Sequence, residues 1–269
     1  MQALLEQLGG GGELARAIGV ALLVAARVAP LTILVPWIAL RGSPPALRIA
    51  LLLSLTVALT PIAISASPPL PPDLLTFVVA IAREVAIGAV FAITISVPLY
   101  ALDQAGRLVD AMRGASQSES ESPAGDRTSP LGNLHLLLGA VLFVALGGHR
   151  LVIAALGEGL IDVPAGAAVA GPDLAAFTMG AARIVVSSLT LAVSFAAPAA
   201  VALIGVEVGL GIVGRAAPAI PMYFAGMPLR AAAGVAAVLL GLSVLVPHLP
   251  AIMRGAVQSA SSLVGTLGG

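Results

Sequence analysis

Apolar residues run along this chain in long, nearly unbroken stretches, without the alternation of half-buried strands. Six such stretches stand out, at roughly 14–40, 46–66, 73–105, 131–160, 174–214 and 217–253. Leu, Val, Ile and Ala dominate them. Most exceed the roughly 20 residues that a helix needs to cross a hydrocarbon core at about 1.5 Å per residue. Polar, proline- and glycine-rich joints separate them: RGSPP at 41–45, SPPLPPD at 67–73, a long insert at 106–134, GEGLIDVPAGAAVAGPD at 157–173 and GRAAPAIP at 214–221. Proline and glycine mark helix ends. The pattern predicts an all-α protein of the integral-membrane type, built from helical hairpins; a β-barrel needs short alternating strands. Four glycines at 9–12 predict a flexible segment over 1–13, followed by one helical domain over 14–253 and a tail over 254–269.

Composition sharpens the class. Of 269 residues 59% are hydrophobic and 10% charged, and the mean hydropathy is +1.07. Soluble domains carry about a quarter charged residues. Net charge is zero and lysine is absent, so nothing points to nucleic acid. With no cysteine, disulfides and thiolate chemistry are excluded. The first basic residue is Arg16, so the N-terminus does not read as a cleaved signal peptide.

Arginine placement predicts a topology. Arg41 and Arg48 flank the first joint, Arg107, Arg113 and Arg127 the third, and Arg215 and Arg230 the fifth. The second and fourth carry only acidic residues, Asp73 in one and Glu158, Asp162 and Asp173 in the other. By the positive-inside rule the odd joints are cytoplasmic and the N-terminus is outside.

Charges also stand inside the apolar stretches: Arg27, Arg83, Glu84, Arg183 and Glu207. A central charge costs roughly 2.5–3.5 kcal/mol on insertion scales, so these residues are expected to face protein or water. Two readings stand, structural ion pairs between helices or a substrate path. Arg83 and Glu84 lie about 100° apart on a helix, so they cannot share one partner directly. Pro30, Pro36, Pro61, Pro98 and Pro198 are expected to interrupt or end helices, which requires neighbouring protein. GVEVG at 205–209 has the small-xxx-small spacing of close helix contacts.

Catalytic signatures are missing. His135, His149 and His248 lack the i,i+4 spacing of a helical metal site, there is no GxSxG elbow, and PAGD at 123–126 has no second aspartate motif. No enzyme, metal or cofactor is expected.

The insert reads GRLVDAMRGASQSESESPAGDRTSPLGNL. Asp103, Arg107 and Asp110, at i, i+4 and i+7, are placed for a ladder on the helix entering it. Gly114, Pro123, Gly125, Pro130 and Gly132 prevent its continuing as helix. By itself this is an ordinary solvated loop.

GRLVDAMRG (106–114) and SPLGNL (129–134), with a polar insert between them, resemble the SctT/FliR family of type III secretion export-gate proteins. RVAPLTILVPWIALRGSPPALRIALLLSLTVALTP (27–61), REVAIGAVFAI (83–93), LLLGAVLFVALGGHRLVIAAL (136–156) and GRAAPAIPMYFAGMPLRAAAG (214–234) resemble further segments in the family's order. LVDAMRG and SPLGNL look closer to the injectisome branch, SctT, than to flagellar FliR. SQSESESPAGD departs from the family in its acidic, serine-rich character.

The resemblance implies a non-catalytic subunit, present once, in the export gate of the bacterial inner membrane. SctR- and SctS-type subunits would surround it, SctU- and SctV-type proteins would adjoin it, and exported polypeptides would pass. Much of the assembled chain would lie on the periplasmic side. It also implies a channel plug made of Gly114, Ser116, Ser118, Glu119, Glu121, Pro123, Gly125, Asp126, Ser129 and Pro130. Asp110, Arg113, Gly132 and Asn133 would anchor it, and Arg215 and Pro218 would form the turn of the last hairpin. A free-standing small-molecule transporter remains the alternative.

Overall fold

The computed structural model describes residues 11–36, 44–71, 73–114, 129–167, 173–219 and 221–268. Seven helices make up nearly all of them: α1 (Gly11–Leu34), α2 (Pro45–Ala66), α3 (Leu74–Met112), α4 (Pro130–Ala145), α5 (Gly148–Asp162), α6 (Leu174–Ala216) and α7 (Met222–Gly268). No strand occurs among the described residues. Five of the helices are long and apolar enough to cross a membrane, six spans if α4 and α5 count as one.

Local chemistry sets the helix ends. Asp73 accepts the Thr76 N–H (3.0 Å) at the start of α3, and Asp173 accepts the Ala176 N–H (2.9 Å) at the start of α6. Each carboxylate satisfies an orphan donor of the first turn and complements the helix dipole. The Thr76 backbone N–H and hydroxyl hold the exposed Asp73 carboxyl below its ordinary pKa. Ser129 caps α4 by accepting the Gly132 N–H, with Pro130 in the first turn.

The expected stretch over 131–160 is two helices. The chain breaks at Leu146–Gly147, where Gly147 takes a left-handed φ of 78° that β-carbons disfavour. The sequence GG is the signal for it. Residues 254–268 continue α7. The prolines differ from expectation. Pro30, Pro61, Pro98 and Pro198 sit inside continuous helices, and only Pro36 lies beyond a helix end. A proline costs one backbone hydrogen bond, and a long helix packed by neighbours tolerates that loss.

The chain divides into two compact units. The first holds residues up to Ser96, Gly147–Ile184 and Arg254 onward. There α1 packs along α2, and α2 against α5. Val20, Leu23, Val24, Val28, Leu31, Leu59, Ile87 and Leu160 are among its buried apolar residues. The second unit holds Val97–Leu146 and Val185–Met253. Its core joins Ala105 and Val109 of α3, Leu131 of α4, Ala196, Ala199 and Leu203 of α6, and Ala237 and Val238 of α7. Half of that core is alanine, which permits close helix packing.

Candidate functional site

Within the first unit three of the embedded charges, Arg27, Arg83 and Glu84, meet in a knot around a buried ion pair. The crossing of α1 and α3 is permitted by Gly88, where a β-carbon would overlap the Arg27 carbonyl. One turn before Gly88 stands Glu84. The crossing therefore delivers Arg27 Nε to Glu84 Oε2 at 2.6 Å, with the two side chains 4% and 0% exposed. Arg27 Nη1 donates to the carbonyls of Gly159 (3.0 Å) and Val163 (2.8 Å), at the C-terminal end of α5. Glu84 Oε1 accepts the Gly166 N–H at 3.1 Å. Gly166 has a φ of 75°, in the turn that follows α5. Arg83 donates instead to the Ala167 carbonyl. The neighbours Arg83 and Glu84 thus grip different atoms of one turn.

The knot brings a buried ion pair to the end of a helix. The Gly159 carbonyl already accepts the Val163 N–H, and Arg27 adds a second donor there and one at the Val163 carbonyl. A cation there also complements the negative end of the helix dipole. Arg27 Nη2 is buried and finds no partner among the described residues.

In the second unit a carboxylate does the reciprocal work at the start of α4. Asp110 Oδ2 accepts the Ser129 hydroxyl (2.5 Å) and the Leu131 N–H (2.9 Å). Asp110 Oδ1 accepts Arg113 Nε at 2.7 Å. Here too glycine allows the approach. A β-carbon at Gly106, one turn before Asp110, would stand 2.5 Å from the Gly132 nitrogen and the Leu131 carbonyl. Gly132 is likewise closed in by Asp103 Oδ1 and Ser129 Oγ, each 2.9 Å from where its β-carbon would be. The acidic charge complements the positive end of α4.

This geometry changes the expected ladder on α3. Arg107 pairs with Asp103 at 2.8 Å, but Asp110 turns away to Arg113 and Ser129. Helix spacing alone reveals the i,i+4 pair. The contact between Asp110 and Ser129, 19 residues apart, needs the helix crossing.

Gly114 ends α3 with a left-handed φ of 76°, while Ser129 and Pro130 begin α4. Asn133 is exposed in the first turn, its N–H bonded to the Ser129 carbonyl. Ser116, Ser118, Glu119, Glu121, Pro123, Gly125 and Asp126 fall outside the described residues. Glu207 pairs with Arg230 across the α6–α7 hairpin, with 49% and 18% of their side chains exposed. Arg183 stands exposed on α6, and Arg215 and Pro218 are exposed at its end. The structure does not bring these last residues to either clustered site. Gly205 and Gly209 meet nothing within 4 Å among the described residues, so the close contact suggested by GVEVG is not made there.

Residues 18–256 match the family "Bacterial export proteins, family 1". The chain belongs to this family, the SctT/FliR family of type III export-gate proteins. It is similar to the flagellar biosynthetic protein FliR of Caulobacter vibrioides, at 30% identity over 83% of this chain and 88% of that one. It is also similar to the Yop proteins translocation protein T of Yersinia pestis, at 28% over 69% and 71%. The surface presentation of antigens protein SpaR of Salmonella typhimurium matches at 27% over 82% of each chain. The flagellar relative and the other two thus stand at nearly equal identity. The knot and the α3–α4 crossing both lie inside the matched range.

Proposed function

We propose that this chain is a non-catalytic structural subunit of a type III export gate in the bacterial inner membrane, and that residues 114–130 plug its channel. The observation that carries the reading is apolar surface left uncovered by the chain's own helices. Only 17% of the most apolar stretch of α2 and 22% of that of α6 is buried, against 61% for α3. Lipid alone is a poor cover for these faces, because α6 also exposes Arg183 and Glu207. Helical partners of the SctR and SctS type, with SctU- and SctV-type neighbours, supply both apolar and polar surface. A free-standing transporter of this make-up would leave exposed charge in hydrocarbon.

The plug is supported by the described ends of the polar stretch. Asp110 ties the end of α3 to the start of α4, so the residues between 114 and 129 leave and return at one place. Polar backbone at membrane depth is tolerated where it lines water or is buried in protein. Replacing Ser116–Asp126 by a short Gly/Ser linker should leave the complex intact, since shortening a loop changes closure entropy only slightly. The expected result is faster leak of ions or small dyes through membranes holding the resting complex. Unchanged leak at normal yield would make the stretch a plain surface connection.

A second reading has support of its own, since the FliR match covers 83% of the chain. Deleting the gene separates the two branches. Loss of effector secretion assigns the injectisome role favoured by LVDAMRG and SPLGNL, and loss of motility alone assigns the flagellar one.

A further inference from the structure

The second unit carries a polar face that its core does not use. There α4 runs back along α3. Asp110 accepts the Leu131 N–H, Gly106 lies against the Gly132 nitrogen, and Leu102 reaches Gly139. Residue numbers fall along α3 as they rise along α4, so the pair is antiparallel. Asp103 and Gly132 both belong to this contact, with Asp103 Oδ1 2.9 Å from where a Gly132 β-carbon would be. Gln104 and Asn133 each follow one of these residues by one position, a rotation of about 100° away from the contact. In antiparallel helices that rotation carries both side chains to the same side of the pair. Both are exposed. Arg107, whose Cγ also approaches Gly132, stands beside them, 48% exposed and paired with Asp103.

Three side-chain amides occur among the described residues, at Gln104, Asn133 and Gln258, and two of them share this face. Neither the Gln104 nor the Asn133 amide has a partner among the described residues. The exposed hydroxyls of α6 differ. Thr190 and Ser194 donate to carbonyls of their own helix, those of Val186 and Thr190, and so can face apolar neighbours. A carboxamide has two donors and an acceptor, and leaving them unmatched away from water is costly. Lipid offers no match. The main chain of a partner helix is already bonded to itself. Water matches a carboxamide, and so does the main chain of an unfolded polypeptide, whose N–H and C=O groups lack internal partners.

We infer that Gln104, Arg107 and Asn133 face water in the assembled gate and that the two carboxamides hold the main chain of the polypeptide in transit. Such contacts read no sequence, because every residue except proline presents the same peptide group. The inference rests on the export-gate reading, yet the two fail separately. A chain that joins no complex defeats that reading. A chain in the complex with this face covered defeats only the inference.

The chain has no cysteine, so an introduced thiol reports on a single position. Gln104→Cys and Asn133→Cys are compared with Val141→Cys and Val201→Cys, apolar positions that are 65% and 71% exposed in this chain. Each variant is assembled with the partner subunits, in membranes opened to both faces, and treated with a charged methanethiosulfonate. The mass of this chain reads the modification. A thiol in apolar surroundings ionises less readily, so positions 104 and 133 should react at least about tenfold faster than 141 and 201. A polypeptide stalled in the gate by a folded domain fused to its end should slow both and leave the two controls unchanged. Equal rates at all four positions overturn the inference, because a partner or lipid then covers the face. Fast reaction that the stalled polypeptide does not slow also overturns it, since the face is then wet but off the path. Neither amide has a partner among the described residues, so both variants should assemble, and either alone carries the test. Loss of assembly in both would show that a partner subunit holds these side chains and would equally overturn the inference.

Discussion

Arg27 and Glu84 are 57 residues apart and form one buried unit with four hydrogen bonds. Removing either partner leaves a charge without compensation, which costs about 3–5 kcal/mol in comparable buried pairs. Arg27→Ala and Glu84→Ala should each sharply lower the yield of intact complex. The double variant should lose much less than the sum, because the second substitution removes the stranded charge. Arg27→Lys should not rescue, since an ammonium lacks the fork that reaches Glu84 and two carbonyls together. Complex yield and thermal stability in detergent measure all four, and additive losses would show that the pair is not a unit. The sequence marks Arg27, Arg83 and Glu84 as embedded charges and separates the directions of Arg83 and Glu84. It does not pair Glu84 with Arg27, because pairing depends on which helices cross and where.

Among elements, α3 carries two glycines that meet a neighbouring backbone. Gly88 and Gly106 each allow a backbone crossing, and each has a carboxylate one turn away that grips the neighbour. Gly209 on α6 meets nothing within 4 Å among the described residues. Gly106→Ala would press a methyl group onto the Leu131–Gly132 backbone, which cannot move aside as a flexible side chain does. It should separate α3 from α4 and expose Gly132, with a loss comparable to core overpacking, about 1–3 kcal/mol. Gly209→Ala should be neutral within this chain or stabilise α6 by up to about 1 kcal/mol, from helix propensity. Protease sensitivity at the α3–α4 junction distinguishes the two, and equal sensitivity would refute the contrast. The glycine-rich sequence (30 in all) does not identify which glycines are needed. Only the contacts do.

At the scale of the molecule, the long helices present apolar surface that this chain does not cover. Val57, Val141, Val186, Val201, Ile212 and Phe224 are each more than half exposed. Patches of this kind call for lipid or partner helices. The exposed Arg183 and Glu207 side chains on α6 favour partners. Expressed alone, the chain should aggregate or degrade in mild detergent. Expressed with SctR- and SctS-type subunits it should enter one large species of defined size. Size-exclusion chromatography reads the outcome, and a stable monodisperse monomer would count against a subunit role.

The sequence by itself determined the helical class, the approximate spans, the polar stretch after α3 and, through ordered motifs, the family. These rest on local properties: apolar run length, proline and glycine at the joints, and residue order. Tertiary structure decided what local pattern does not contain. It broke the fourth stretch at Gly147, carried α3, α6 and α7 through their prolines and turned Asp110 from Arg107 to Ser129. It also closed Arg27 on Glu84 at the end of α5. The physical reason is common to all four. In a chain so apolar, a polar group away from water must find its partner within the fold. Which partner it finds is set by helix crossings between residues tens of positions apart.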